Sequence, residues 1–175
     1  TLIVATMHPE KIRNLVLIDP AGLIDEETTP RLATSFALDI VQGALNKEKL
    51  PRPEVERSVK PGSPADLFGA LRNIAGDPMK SLKEVLALRD ADIRFLLEDL
   101  KAQGKHISIV QGARDVIFPM ERMQRVVNTE QVDGFYSVYG AHNEINSNPE
   151  AYIHVIDHAL DALAKLSERD KTAKE

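Results

Sequence analysis

His106-Ile-Ser-Ile-Val-Gln-Gly-Ala-Arg-Asp115-Val-Ile-Phe-Pro119 reads as a strand, a polar turn and the start of a helix. Ile107 to Val110 is a short apolar run, and Gln111-Gly112 closes it as a strand end would. Pro119 suits a first helical position, where its missing N–H removes no hydrogen bond. Met120, Met123 and Val127 then share one helical face. The segment is one half of a β/α unit, with an aspartate in the loop where strand becomes helix.

The same alternation continues on both sides. Downstream, Phe135-Tyr-Ser-Val-Tyr139 reads as another strand, followed by a loop from Gly140 to Asn148. The last helix opens near Pro149, with Tyr152, Ile156, Ala159, Leu163 and Leu166 as its buried stripe; the charged tail from Ser167 to Glu175 is expected to fray. Upstream, Thr1 to Met7 reads as the end of a helix closed by His8-Pro9. Leu15-Val-Leu-Ile18, bounded by Asp19-Pro20, has the continuous apolar character of a strand buried on both faces. Three strands separated by helical connections predict an α/β fold with a three-stranded parallel sheet and flanking helices.

The interval from Asp19 to His106 is far longer than one crossover helix requires, so a helical insertion is expected there. Thr29-Pro30 reads as an N-cap and first helical residue, with Phe36, Ile40 and Val41 on one face. Ser63-Pro64 repeats the signal ahead of Leu67, Phe68, Leu71, Ile74 and Ala75, with Gly76 as a C-cap. Ser81-Leu-Lys-Glu84 has the form of a capping box, and past a break at Asp90 the set Ile93, Leu96, Leu97, Leu100 runs at helical spacing to Gly104. The expected organisation is therefore a core of residues 1–23 and 105–170, a helical insertion over 24–104, and a charged tail over 171–175.

Composition excludes several classes of function. A chain of 175 residues with 43% hydrophobic content holds one compact core. Its net charge of -5, from 22 basic and 27 acidic residues interspersed along the chain, offers no basic stripe for nucleic acid or for an anionic membrane surface. With no cysteine, a disulfide, a thiolate metal site and a cysteine nucleophile are excluded within these residues. No apolar run approaches the roughly 18 residues of a membrane span, and the expectation is a cytoplasmic protein. His154 and His158 stand at a spacing that places two ligands on one helical face, but the pattern lacks the glutamate of the zinc proteases and both point away from the buried stripe. No metal, nucleotide or redox cofactor is expected.

In open parallel sheets, reactive groups collect at the carboxyl ends of the strands. Three polar loops qualify: Asp19-Pro20, Gly112-Ala-Arg-Asp115, and Gly140-Ala-His142-Asn143-Glu144. One crossover helix and one strand separate Asp115 from His142, so the two should meet on neighbouring loops. An aspartate after a strand is commonly a turn former or cap, a loop histidine is commonly solvated, and Glu144 reads as a surface carboxylate or a cap. The acid and the histidine in successive loops outweigh those readings for Asp115 and His142.

This order of elements resembles the α/β-hydrolase family, whose triad runs nucleophile, acid, histidine. His8 to Ile18 looks like the passage from the nucleophile helix into the sixth strand, His106 to Pro119 like the acid loop, and Tyr139-Gly-Ala-His142 like the histidine loop. The resemblance spans most of the chain outside the insertion and implies the C-terminal part of that fold, with Asp115 as acid and His142 as base. Asp19 is the alternative acid. The insertion would be a lid whose inner face, with Phe36 and Phe68 as candidate lining, meets a small-molecule substrate.

The family's Gly-x-nucleophile-x-Gly elbow is not found, and family spacing implies a nucleophile roughly five residues before Thr1. The implied partner is the N-terminal half of the same fold, and residues 1–175 alone are expected to turn over nothing. Three functions are compatible with the pattern. The first is a serine hydrolase acting on an ester, amide or related carbonyl compound. The second is an aspartate-nucleophile enzyme with dehalogenase or epoxide-hydrolase chemistry. The third is a non-catalytic small-molecule binding or signalling protein on the same scaffold.

Overall fold

The three apolar runs form strands β1 (Asn14–Ile18), β2 (His106–Gly112) and β3 (Gly134–Val138). They lie in one parallel sheet in the order β1-β2-β3, with Leu17 beside Ile109 and Ile109 beside Phe135. The structure, a computed structural model, describes residues 2–23, 28–45, 83, 87, 92–142, 144–146 and 148–173. Around the sheet stand helices α1 (Leu2–Met7), α2 (Thr29–Leu45), α3 (Arg94–Ala102), α4 (Met120–Val126) and α5 (Pro149–Thr172). The expected helix from Ser63-Pro64 through Phe68 lies outside the described residues, as does most of the capping-box segment after Ser81.

Alternation along the strands sends side chains to two cores. Leu15, Leu17, Ile107 and Ile109 point to one face, where Leu2 and Ala5 of α1, Leu97 and Leu100 of α3, and Met123 of α4 cover them. Val110 and Val138 point to the other, against Tyr152 and Ala159 of α5. Covered on both sides, β2 is buried along its whole length. The expected two-sided burial of Leu15 to Ile18 is corrected: Leu15 and Leu17 are buried, whereas Val16 and Ile18 are only partly so. Among the described residues β1 pairs only with β2, and an edge strand lacks the lateral cover of a central one.

Local sequence explains the helix ends, with two corrections. The hydroxyl of Thr28 accepts the Arg31 N–H (3.4 Å) and its carbonyl accepts the Leu32 N–H (3.0 Å), so the cap of α2 is Thr28 and not Thr29. The charged tail does not fray at Ser167, because α5 continues to Thr172. Ser167 Oγ–H donates to Asn14 Oδ1 (2.7 Å), fastening the far end of α5 to the start of β1. At its other end, Asn148 caps α5 by accepting the Ala151 N–H ahead of Pro149.

The insertion closes on itself. Ile93 N–H donates to Gly22 O (3.0 Å), so the chain returns beside the point where it left. Helix α3 then packs on α1 and β2. Both described ends of the insertion, α2 through Leu32 and Phe36 and α3 through Leu97 and Leu100, pack into the core on the α1 face of the sheet. Every described residue with regular structure between 24 and 104 is helical.

At the amino end of β2, Asp133 joins separate elements. It accepts Lys101 Nζ and the Ile107 N–H (2.8 Å), and it lies 3.5 Å from His106 Nδ1; His106 Nε2 in turn faces Asp170 of α5 at 3.2 Å. Burial alone would raise the Asp133 pKa, but the hydrogen bonds from Lys101 and Ile107 hold it below the ordinary carboxylate value. A depressed pKa contributes stability above the unfolded value of about 3.9 and loses it as pH falls through the lower folded value. Asp133→Asn should therefore lower the melting temperature at pH 7 by roughly 2–4 °C. Melting curves at pH 7 and pH 3 check this; a gap that does not shrink at the lower pH would contradict it.

Candidate active site

Asp115 follows β2 in a tight turn in which its own N–H donates to Gly112 O (3.1 Å). The side chain is fully buried. Oδ1 accepts the Ile117 and Phe118 amides at 2.8 and 2.9 Å, and Oδ2 accepts Gln111 Nε2 at 2.8 Å. The fourth partner is His142 Nδ1, 2.9 Å from Oδ2. A carboxylate only accepts, so His142 Nδ1 is the donor in this bond.

His142 reaches this point because the loop after β3 runs alongside the loop after β2. Ala113 N–H donates to Val138 O and Arg114 N–H to Gly140 O, both at 2.8 Å. Arg114 Nη2 also donates to Glu144 Oε2 (2.8 Å), which accepts the Ala141 N–H as well (2.7 Å), while the guanidinium lies 4.6 Å above the Tyr139 ring. Phe118 meets the imidazole edge-on at 5.3 Å. The imidazole is 11% exposed, shielded yet reachable.

The two loops approach so closely that glycine is required. A Cβ on Gly112 would stand 2.6 Å from Gly140 O, a backbone atom with little freedom to move. Gly112→Ala should cost about 2–3 kcal/mol, the upper part of the overpacking range because the obstructing atom is backbone, measured by urea unfolding. Gly104, at φ +72° with no atom near a built Cβ, is the comparison: alanine there should cost about 1 kcal/mol through backbone conformation alone. Equal costs at both sites would remove the argument for loop contact.

Of the other residues singled out in the sequence, Asp19 ends β1 and is buried. Its Oδ1 accepts the Gly112 N–H (2.7 Å), and its Oδ2 faces the Tyr152 hydroxyl (3.4 Å). Burial raises its pKa above the usual carboxylate range, the Gly112 hydrogen bond partly offsetting this. Phe36 of α2 packs against the first core, and Arg31, near the start of the same helix, is 3.4 Å from Ile117 O, so α2 begins beside the acid loop. Phe68 lies outside the described residues. His154 and His158 are on the exposed side of α5, where His158 meets the Tyr136 ring edge-on at 5.6 Å.

Three residues at the site carried no distinguishing sequence signal. Gln111 reads as a strand end, yet its Nε2 bridges Asp115 and Phe118 O (3.0 Å). Tyr152 reads as one member of an apolar stripe. Glu144 reads as a surface carboxylate or a cap, whereas it joins Arg114 to the histidine loop.

His142 and the buried Asp115 to which it bonds thus stand together at the carboxyl end of a parallel α/β sheet. Among solved structures the chain is similar to a hydrolase from Pseudomonas aeruginosa PA01, with 16% identity and a TM-score of 0.50 over 91% of this chain and 59% of that one. It is also similar to a membrane phospholipase A described as a novel bacterial virulence factor, with 17% identity and a TM-score of 0.52 over 93% of this chain and 53% of that one. The likeness is one of fold, the α/β-hydrolase fold, and the chain spans less than two thirds of the length of either protein. No protein-family model and no curated protein sequence matches it. Among the described residues no helix is long and apolar enough to cross a membrane, and no group of three His, Cys, Asp or Glu is placed to hold a metal ion.

Proposed function

We propose that the chain supplies the acid, Asp115, and the base, His142, of a nucleophile–histidine–acid triad that hydrolyses an ester, amide or related small-molecule substrate. The hydrogen bond between His142 Nδ1 and Asp115 Oδ2 carries this reading, because it fixes the tautomer that a general base needs. Nε2 would take the proton of the nucleophile as it attacks and return it to the leaving group. Asp115 would stabilise the imidazolium in between. Asp19 is the weaker candidate for the acid, since its Oδ1 is engaged by the Gly112 N–H and its Oδ2 faces Tyr152.

The nucleophile would come from an additional segment of the same fold, consistent with the coverage of 59% and 53% of the two structural neighbours. The insertion would serve as a lid over the site, with Phe36 among its candidate lining residues. An acyl substrate is the chemistry we infer, so the test is a serine-reactive fluorophosphonate on the intact protein. Covalent labelling that is lost in His142→Ala is the expected result. An intact protein that stays unlabelled and hydrolyses no activated ester sinks the acyl-transfer reading; His142-dependent opening of an epoxide or release of halide would then assign an aspartate nucleophile.

A further inference from the structure

Asp19 is an acid buried to 7% exposure beneath the site, and the reaction outlined above gives it no role. Its backbone is held at φ 43°, in the left-handed region that few side-chain-bearing residues adopt. This conformation ends β1 and accompanies a carboxyl that faces the neighbouring loop. Oδ1 accepts the N–H of Gly112, the residue from which the Asp115 turn begins. Oδ2 faces the hydroxyl of Tyr152, a side chain that is wholly buried.

Tyr152 carries the connection to the second loop. Its Oη is 3.4 Å from Asp19 Oδ2 and 3.2 Å from the carbonyl oxygen of Ala141, the residue before His142. The loop lies hard against it: a Cβ on Gly140 would come within 2.4 Å of that hydroxyl. A phenol has one proton, and here it has two acceptors. The hydroxyl is shared between them as a three-centre donor, tying the Asp19 carboxyl and the Ala141 carbonyl to one side chain.

We infer that Asp19 and Tyr152 are positioning residues, forming a buried line of hydrogen bonds from the Gly112 N–H through the Asp19 carboxyl and the Tyr152 hydroxyl to the Ala141 carbonyl. This brace sets the acid loop against the histidine loop and so holds Asp115 to His142. Burial raises the Asp19 pKa, and the hydrogen bond from Gly112 partly offsets this. The charged and titratable groups around Asp19 are Asp115 and His142 on the two loops and Tyr152 on α5, and the neighbouring carboxylate of Asp115 disfavours a second negative charge.

The kinetic part of the test rests on the proposed function; the spectroscopic part does not. In proton NMR of the protein, the His142 Nδ1–H, assigned by its absence in His142→Gln, should give a low-field resonance protected by the Asp115 bond. Asp19→Asn keeps the acceptor for Gly112 and gives Tyr152 a permanent donor, so the resonance should persist. In Asp19→Ala and Tyr152→Phe it should be lost to solvent exchange. In the intact protein these two variants should lower kcat about 100-fold with KM within about twofold, the scale of a misplaced catalytic group, and Asp19→Asn should recover most of the loss.

Should Asp19→Ala fail to fold, Tyr152→Phe decides, since it removes one oxygen and keeps the buried ring. A resonance unchanged in Tyr152→Phe overturns the brace whatever the rates do, and shows that the backbone bonds of Ala113 and Arg114 suffice. A resonance lost in these variants, with hydrolysis unaffected by His142→Ala, keeps the brace and overturns the catalytic reading instead.

Discussion

Replacing His142 by alanine should lower kcat of the intact protein by about four to six orders of magnitude, the scale seen when the base of a nucleophile–histidine–acid unit is removed. Two features of the site make the loss so large. In the proposed mechanism the imidazole moves a proton between nucleophile and leaving group, and its Nδ1 is engaged by Asp115. The carboxylate has no comparable route, because it is fully buried behind the ring. Stability should change little by comparison, since the ring edge remains partly exposed and its packing neighbour, Phe118, is anchored by its own amide on Asp115. Steady-state rates on an activated ester, together with a melting curve, separate the two effects. A loss below tenfold in a folded variant would mean that the proton is carried elsewhere.

How much of this was legible in the sequence depends on the range of the interaction concerned. The strands were legible because Leu15 to Ile18, Ile107 to Val110 and Phe135 to Tyr139 are largely apolar runs between polar turns, a local property. The meeting of Asp115 and His142 was legible because the order of the loops along the chain makes them neighbours at the carboxyl ends of parallel strands. What escaped was set by contacts between distant segments. The half-burial of β1 follows from its place at the edge of the described sheet, and the helical tail is held by the pairing of Ser167 with Asn14. The cap of α2 shifted by one residue because Thr28 and Thr29 are equally able to cap, and the backbone geometry decides between them. Tyr152 is the clearest case: its ring obeys the helical stripe, but nothing in that periodicity tells a hydroxyl bonded between two loops from a phenylalanine.

Asp115→Asn should reduce kcat about 10⁴-fold, the scale known for amide replacement of a triad acid, and the hydrogen bonds around this residue say why. The carboxylate accepts four donors, two on each oxygen. An amide keeps one acceptor oxygen and turns the other position into a donor. If the amide nitrogen took the place of Oδ1, it would face the N–H groups of Ile117 and Phe118, which cannot become acceptors. The nitrogen is therefore forced to the Oδ2 position, against Gln111 and His142. Gln111 Nε2 still has the Phe118 carbonyl at 3.0 Å, whereas His142 can answer the new donor only by shifting its proton from Nδ1 to Nε2. The ring would stay in place with its lone pair directed away from the nucleophile. Loss of activity should thus exceed loss of stability, the latter being about 1–3 kcal/mol for the donors left short of a partner. Asp115→Ala is the less discriminating change, because it strands all four donors and disorders the loop as well. Urea unfolding and single-turnover rates on Asp115→Asn test the argument together. Activity within tenfold of the parent, with the fold intact, would transfer the role of acid to Asp19, the other buried carboxyl beneath the same loops.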